Sequence, residues 1–223
     1  MLIDFGTRTV QTKIVFYGSA LSGKTTALRV LYKQLSSQQS KKQGILSIHT
    51  GHKNNNRTLF YDFGVIRLNF GIWVADLNFW TATGQDYYCA TRSTVLQGTD
   101  GLVFMVDSQR ALIETNIKSW SELIFYFGSK LVKLIPVVIC LNKRDLLDVT
   151  PVHWFRKRLN LLPGTPIFET IAIDNHNIVE AFKALLEGIF RVHKDAKTCI
   201  MKQLKKTPTK KEINEWGLNQ KIA

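Results

Sequence analysis

Cysteine is scarce in this 223-residue chain. There are three, Cys89, Cys140 and Cys199, an odd number, widely spaced and in no metal-like pairing. That speaks against a disulfide framework or a structural zinc site, and a reducing interior suits it better than secretion. Long apolar runs are missing too: none approaches the roughly 20 residues of a membrane span. The leading Met-Leu-Ile-Asp lacks the basic-then-apolar order of a signal peptide. A soluble, cytoplasmic protein is expected. No internal repeat is present, which removes the solenoid architectures. Acidic residues are few, 17 against 30 Lys and Arg, for a net charge of +13. From Arg191 to the end nine basic residues face three acidic ones, leaving +6 there and +7 on the 190 residues before it. A basic extension on a mildly basic domain points to an acidic partner or an anionic membrane surface more than to a nucleic-acid reader.

With 45% hydrophobic and 21% charged residues, the chain can bury one α/β core, expected over residues 1–193, with 194–223 as a basic extension. The stretch that organises the core is Gly18-Ser19-Ala20-Leu21-Ser22-Gly23-Lys24-Thr25. It matches G-x-x-x-x-G-K-[ST], follows the apolar run 14–17 and opens a helix-like segment from residue 25, the strand-loop-helix context of a P-loop. Gly18 and Gly23 let the backbone curl so that successive N–H groups face a phosphate chain, at the positive end of the following helix. Ser19, Ala20, Leu21 and Ser22 complete the loop, and Thr26 follows it. Lys24 would reach the β- and γ-phosphates, and the Thr25 hydroxyl would ligate Mg²⁺.

The remaining pattern is alternating. Residues 1–11 read as a lead-in. Strands are expected at 13–17, 101–106, 136–141 and 167–171, and helices at 25–37, 111–127, 152–159 and 177–193. The runs from 58 and from 70 to 80 read as a long hairpin turning near 67–69. Strands alternating with helices indicate a mostly parallel sheet covered on both faces, with ligands beyond the carboxyl ends of the strands. The polar stretch 36–56 is long for a connection and reads as functional.

Asn142-Lys143-Arg144-Asp145 follows the 136–141 strand. A carboxylate such as Asp145 accepts from N1–H and the 2-amino group of guanine, Asn142 can meet O6/N7 and buttress the loop, and the Lys143 stem can lie over the base. Thr81-Ala82-Thr83-Gly84-Gln85 ends the second hairpin strand. There the Gly84 amide would meet a γ-phosphate and Gln85 would orient an attacking water.

Together with Asn56-Arg57-Thr58-Leu59-Phe60-Tyr61-Asp62-Phe63 and Leu102-Val-Phe-Met-Val-Asp107-Ser108, these residues resemble the Ras-like small GTPases, and among them the MglA-like branch of bacteria and archaea. The resemblance covers roughly residues 11–193. It implies a P-loop NTPase fold, a Ras-like six-stranded, mostly parallel sheet with helices on both faces and one antiparallel hairpin strand. It also implies a GTP/GDP switch using Mg²⁺. Thr58 resembles the switch I threonine that closes over Mg²⁺, and Arg57 the arginine that serves this branch as an intrinsic finger. Lys24, Arg57 and Gln85 form the implied catalytic set, Thr25 and Thr58 the implied metal ligands. Ala172 lies at the place of the family's base-contacting backbone. Roadblock-type partners that promote hydrolysis are implied, as is an output in polarity or motility.

Two departures bear on rate. Thr81 stands where Ras has the aspartate that holds Mg²⁺ through water, a role Asp62 could take over; the MglA-like branch is similar here. Ala20 stands where Ras-like chains have glycine, with its methyl group where Arg57 and Gln85 must converge. Three readings therefore remain: a slowly hydrolysing switch, a GTP-binding scaffold with little turnover, and an adaptor tethered to membrane or nucleic acid by its tail. In that tail Ile200, Met201 and Leu204 lie among Lys197, Lys202, Lys205 and Lys206. Ala20→Gly is expected to raise the single-turnover hydrolysis rate; an unchanged or slower rate removes the steric argument.

Overall fold

The computed structural model describes residues 1–37, 61–70, 72–82, 89–128, 131 and 135–193. Its centre is β2 (Thr9–Tyr17), which pairs in parallel with β4 (Trp73–Ala82) on one side and β5 (Gly101–Asp107) on the other. β3 (Tyr61–Phe70) runs antiparallel to β4, and β6 (Val137–Asn142) and β7 (Ile167–Glu169) extend the parallel array beyond β5. The order β3-β4-β2-β5-β6-β7 is the expected six-stranded path. A short β1 (Leu2–Asp4) joins it, antiparallel to the start of β2. The expected lead-in is thus folded into the sheet. β5 meets β2 only from Ile14 onward, so the earlier edge of β2 is open to β1. The Asp4 carboxylate closes the connection by accepting from the N–H groups of Gly6 and Thr7 at 2.8 and 3.1 Å.

Period-two alternation explains why the central strands read as unbroken apolar runs. Ile14 and Phe16 of β2, Val103 and Met105 of β5, and Val138 and Cys140 of β6 pack on one face. They lie under α1 (Lys24–Ser37) and α5 (Ile178–Val192). Val15, Tyr17, Leu102, Phe104, Val137 and Ile139 pack on the other. There they meet α2 (Cys89–Leu96), α3 (Ile113–Phe127) and α4 (Val152–Arg158). α5 buries Ile178, Ala181, Phe182, Leu185 and Ile189, one stripe at helical spacing. Burial pushes the Cys140 thiol up to about 12, which keeps it protonated and unreactive.

The hairpin turns later than expected: β3 continues to Phe70 and β4 begins at Trp73. Arg67, a polar residue that looks like a turn signal, sits inside the strand opposite Asp76. Its guanidinium donates to both carboxylate oxygens at 2.7 and 2.8 Å. The other expected elements appear within a few residues of their sequence bounds; the terminal extension and most of 36–56 lie outside the described residues. Among the described residues no helix is long and apolar enough to cross a membrane.

Because β2, β4, β5, β6 and β7 are parallel, Tyr17, Ala82, Asp107, Asn142 and Glu169 all end at one edge of the sheet. The loops that follow them build the site. Leu185→Ala, at a fully buried position, is expected to cost about 2–5 kcal/mol in denaturant unfolding; a loss below about 1 kcal/mol would mean the sheet does not depend on α5 packing.

Candidate functional site

At the end of β2 the chain curls through φ values of 145° at Gly18, 60° at Leu21 and 98° at Gly23. Conformation and space both demand glycine at the first and last of these. A Cβ on Gly18 would lie 2.1 Å from the Met105 carbonyl oxygen, and one on Gly23 2.2 Å from Asn142 Nδ2. Leu21 occupies the left-handed region without that freedom. Lys24, the first residue of α1, arches back over the curl. Its buried ammonium donates to the Gly18 and Ser19 carbonyls at 2.9 and 2.7 Å. The helix ladder starts with Ala27 N–H donating to the Gly23 carbonyl at 2.8 Å. The loop thus offers a curled backbone, a helix N-terminus and an ammonium on one side, a donor set that fits a polyphosphate. Thr25 stands second in α1 and Thr26 third.

Asn142, buried at the end of β6, ties this loop to two others. Its Nδ2 donates to the Ser22 carbonyl at 2.8 Å. Its Oδ1 accepts from the Ala172 N–H at 2.9 Å and the Thr170 hydroxyl at 3.4 Å. Of the two tasks the sequence suggested for Asn142, this is the buttressing one. Ala172 lines the cavity, and its backbone N–H serves the Asn142 carboxamide oxygen, a buried acceptor that needs a donor.

Beside these residues lies a cavity of about 180 Å³ walled by Leu21, Thr26, Lys143, Asp145, Ala172 and Ile173, among others. Lys143 has a φ of 63°, and its ammonium reaches Asp107 Oδ2 at 2.6 Å. Asp107 is fully buried. A carboxylate in that position needs several partners. Besides Lys143 it accepts from Gln109 N–H and Nε2–H at 3.1 Å. Arg144 clamps the same loop, its Nη2 at 2.6 Å from Glu169 Oε2 and its Nη1 donating to the Thr150 carbonyl at 2.7 Å. Nothing in the spacing of the tetrapeptide singles out Arg144.

Thr81 is buried near the end of β4, aligned with Phe16 of β2 and with Asp62 of β3. The residue expected to substitute for the missing aspartate is therefore its cross-strand register partner. α2 is anchored below: Arg92 pairs with Glu122 of α3. Burial, and then Glu122, raise the phenol of Tyr17, the last residue of β2. Arg57, Thr58, Gly84 and Gln85 lie outside the described residues.

The model of the Ras family matches residues 13–191. The chain belongs to the Ras family. It is 34% identical over 188 residues to the mutual gliding-motility protein MglA of Myxococcus xanthus, covering 82% of this chain and 92% of that protein. It is 26% identical over 193 residues to the Ras-related protein Rab-9B of Mus musculus, covering 81% and 92%. As a Ras-family protein it is a small GTP-binding regulatory GTPase, and GTP, GDP and Mg²⁺ are the ligands such proteins use. The curled loop after β2 and the cavity after β6, with apolar walls and the Asp145 carboxylate at its edge, suit the two ends of such a nucleotide. Gly18→Ala is expected to destabilise the protein by about 1–3 kcal/mol and to abolish retention of a fluorescent GDP analogue; retention equal to wild type would mean the loop is not the phosphate cradle.

Proposed function

We propose that the protein is a GTP/GDP switch with slow intrinsic hydrolysis. The observation that supports this reading best is the Asn142 fastening, which holds the loop after β2 beside the cavity edged by Asp145. In this reading the N–H groups of residues 18–23 and the Lys24 ammonium hold the phosphates, and Thr25 with Thr58 holds Mg²⁺. Asp145 selects guanine through its N1–H and 2-amino donors, while the Lys143 stem covers the base. Gly84 N–H meets the γ-phosphate and Gln85 orients the water. Arg57 neutralises charge developing in the transition state, an effect worth about 10³–10⁵ in rate where such an arginine acts. Ala20 hinders the approach of Arg57 and Gln85, so turnover is slow without help.

Segments 38–58 and 84–97 are the elements whose arrangement the γ-phosphate and Mg²⁺ bias. A roadblock-type protein is the proposed partner at these segments, promoting hydrolysis, with a polarity or motility system downstream in the cytoplasm. The likeness to a gliding-motility protein supports that output. Residues 1–193 form the GTPase unit, and 194–223 a basic extension for an anionic membrane surface. The buried Thr81 at the metal end of β4 favours a second reading, a GTP-bound scaffold.

Single-turnover hydrolysis with Mg²⁺, with and without a roadblock-type partner, separates the two. Hydrolysis that Arg57→Ala and Gln85→Ala each reduce at least about tenfold is expected. Tight GTP binding with no hydrolysis under either condition would sink the switch in favour of the scaffold.

A further inference from the structure

Asn116 lies on the buried side of α3, outside every sequence pattern that points to nucleotide. None of it is exposed, and its carboxamide makes three bonds. Nδ2 donates to the Asp107 carbonyl at 2.7 Å, and Oδ1 accepts from the Asp107 N–H at 3.1 Å and from Ser19 Oγ at 3.1 Å. The two bonds to Asp107 have a topological cause. β2 pairs with β5 only as far as Tyr17 opposite Phe104, whereas β5 runs on to Asp107. Ser108 N–H donates to the Asn142 carbonyl on the β6 side. Successive residues of a strand turn to opposite sides, so the backbone of Asp107 faces the side β2 has left. The Asn116 carboxamide, one donor and one acceptor, stands in for the strand residue that is no longer there.

Those two bonds alone would close the sheet edge. The third reaches Ser19, the buried second residue of the phosphate loop. Through Asp107 the connection continues to the Lys143 ammonium at 2.6 Å. Ser19, Asn116, Asp107 and Lys143 thus form a polar chain from the phosphate side to the base side. Asn142 makes the corresponding join under α1.

We propose that Asn116 is a positioning residue for the phosphate loop: by tying Ser19 to the end of β5 it sets how long bound guanine nucleotide is retained. The inference rests on the nucleotide reading of this site. A residue that merely finished the sheet edge would affect stability without coupling to Ser19, and a double-mutant cycle separates the two roles.

The measurement is release of a fluorescent GDP analogue from the full chain as wild type, Asn116→Ala, Ser19→Ala and the double variant. Asn116→Ala is expected to speed release at least about tenfold and Ser19→Ala about two- to fivefold, with the double no faster than Asn116→Ala alone. Release within about twofold of wild type in Asn116→Ala, or effects of the two substitutions that multiply, overturns the proposal. Should Asn116→Ala fail to fold, Ser19→Ala decides by hydrogen exchange of residues 18–24 in the purified protein. Faster exchange there supports the tether and unchanged exchange overturns it. Wild type that holds no GDP analogue refutes the nucleotide reading instead, and the exchange measurement still decides the tether.

Discussion

The carboxamide of Asn142 is the constraint on which the site depends. One buried side chain joins the loop after β2, its own strand end and the loop after β7, through Ser22, Thr170 and Ala172. It can do so because three parallel strands finish at the same edge of the sheet. Removing it would leave a buried carbonyl and a buried N–H without partners, each costing about 1–3 kcal/mol. The close approach also explains Gly23: the same nitrogen occupies the space that any Cβ there would need.

Charge is handled differently at the two ends of the site. At the loop after β2, the buried Lys24 ammonium donates to two loop carbonyls, so the curl is held by the same group that would meet a polyanion. At the loop after β6, Asp107 is fully buried and paired with Lys143 and Gln109, which fixes the Lys143 ammonium beside the cavity. Arg144 braces that loop from outside through Glu169 and Thr150. Each buried charge thus has several partners. That matters because a charge lacking them would cost more than the fold's small margin of stability.

Much of the fold was legible because its signals are local and regular. Period two in β2, β5 and β6, a stripe at helical spacing in α5, and glycines bracketing a loop before Lys24 are all visible in the chain. The misread places have a common cause. Arg67 looked like a turn until the sheet put Asp76 across from it, and residues 2–4 are too short to show periodicity until an open edge of β2 receives them. The bond from the Ala172 N–H to Asn142 was not legible either, because sequence shows no hydrogen bonds.

What the sequence determined by itself was the list of chemical groups and their order: a glycine-bounded loop with Lys24 and Thr25, an Asn-Lys-x-Asp turn more than 100 residues later, and the strands that deliver them. Those follow from local spacing, which needs no knowledge of distant neighbours. Tertiary structure decided which groups share hydrogen bonds. Asn142 fastening Ser22, Asp107 holding Lys143, and Asn116 replacing a strand that has turned away are pairings across 120, 36 and 9 residues. Such pairings arise only when burial removes water and leaves each polar atom to find the partner the packing brings to it.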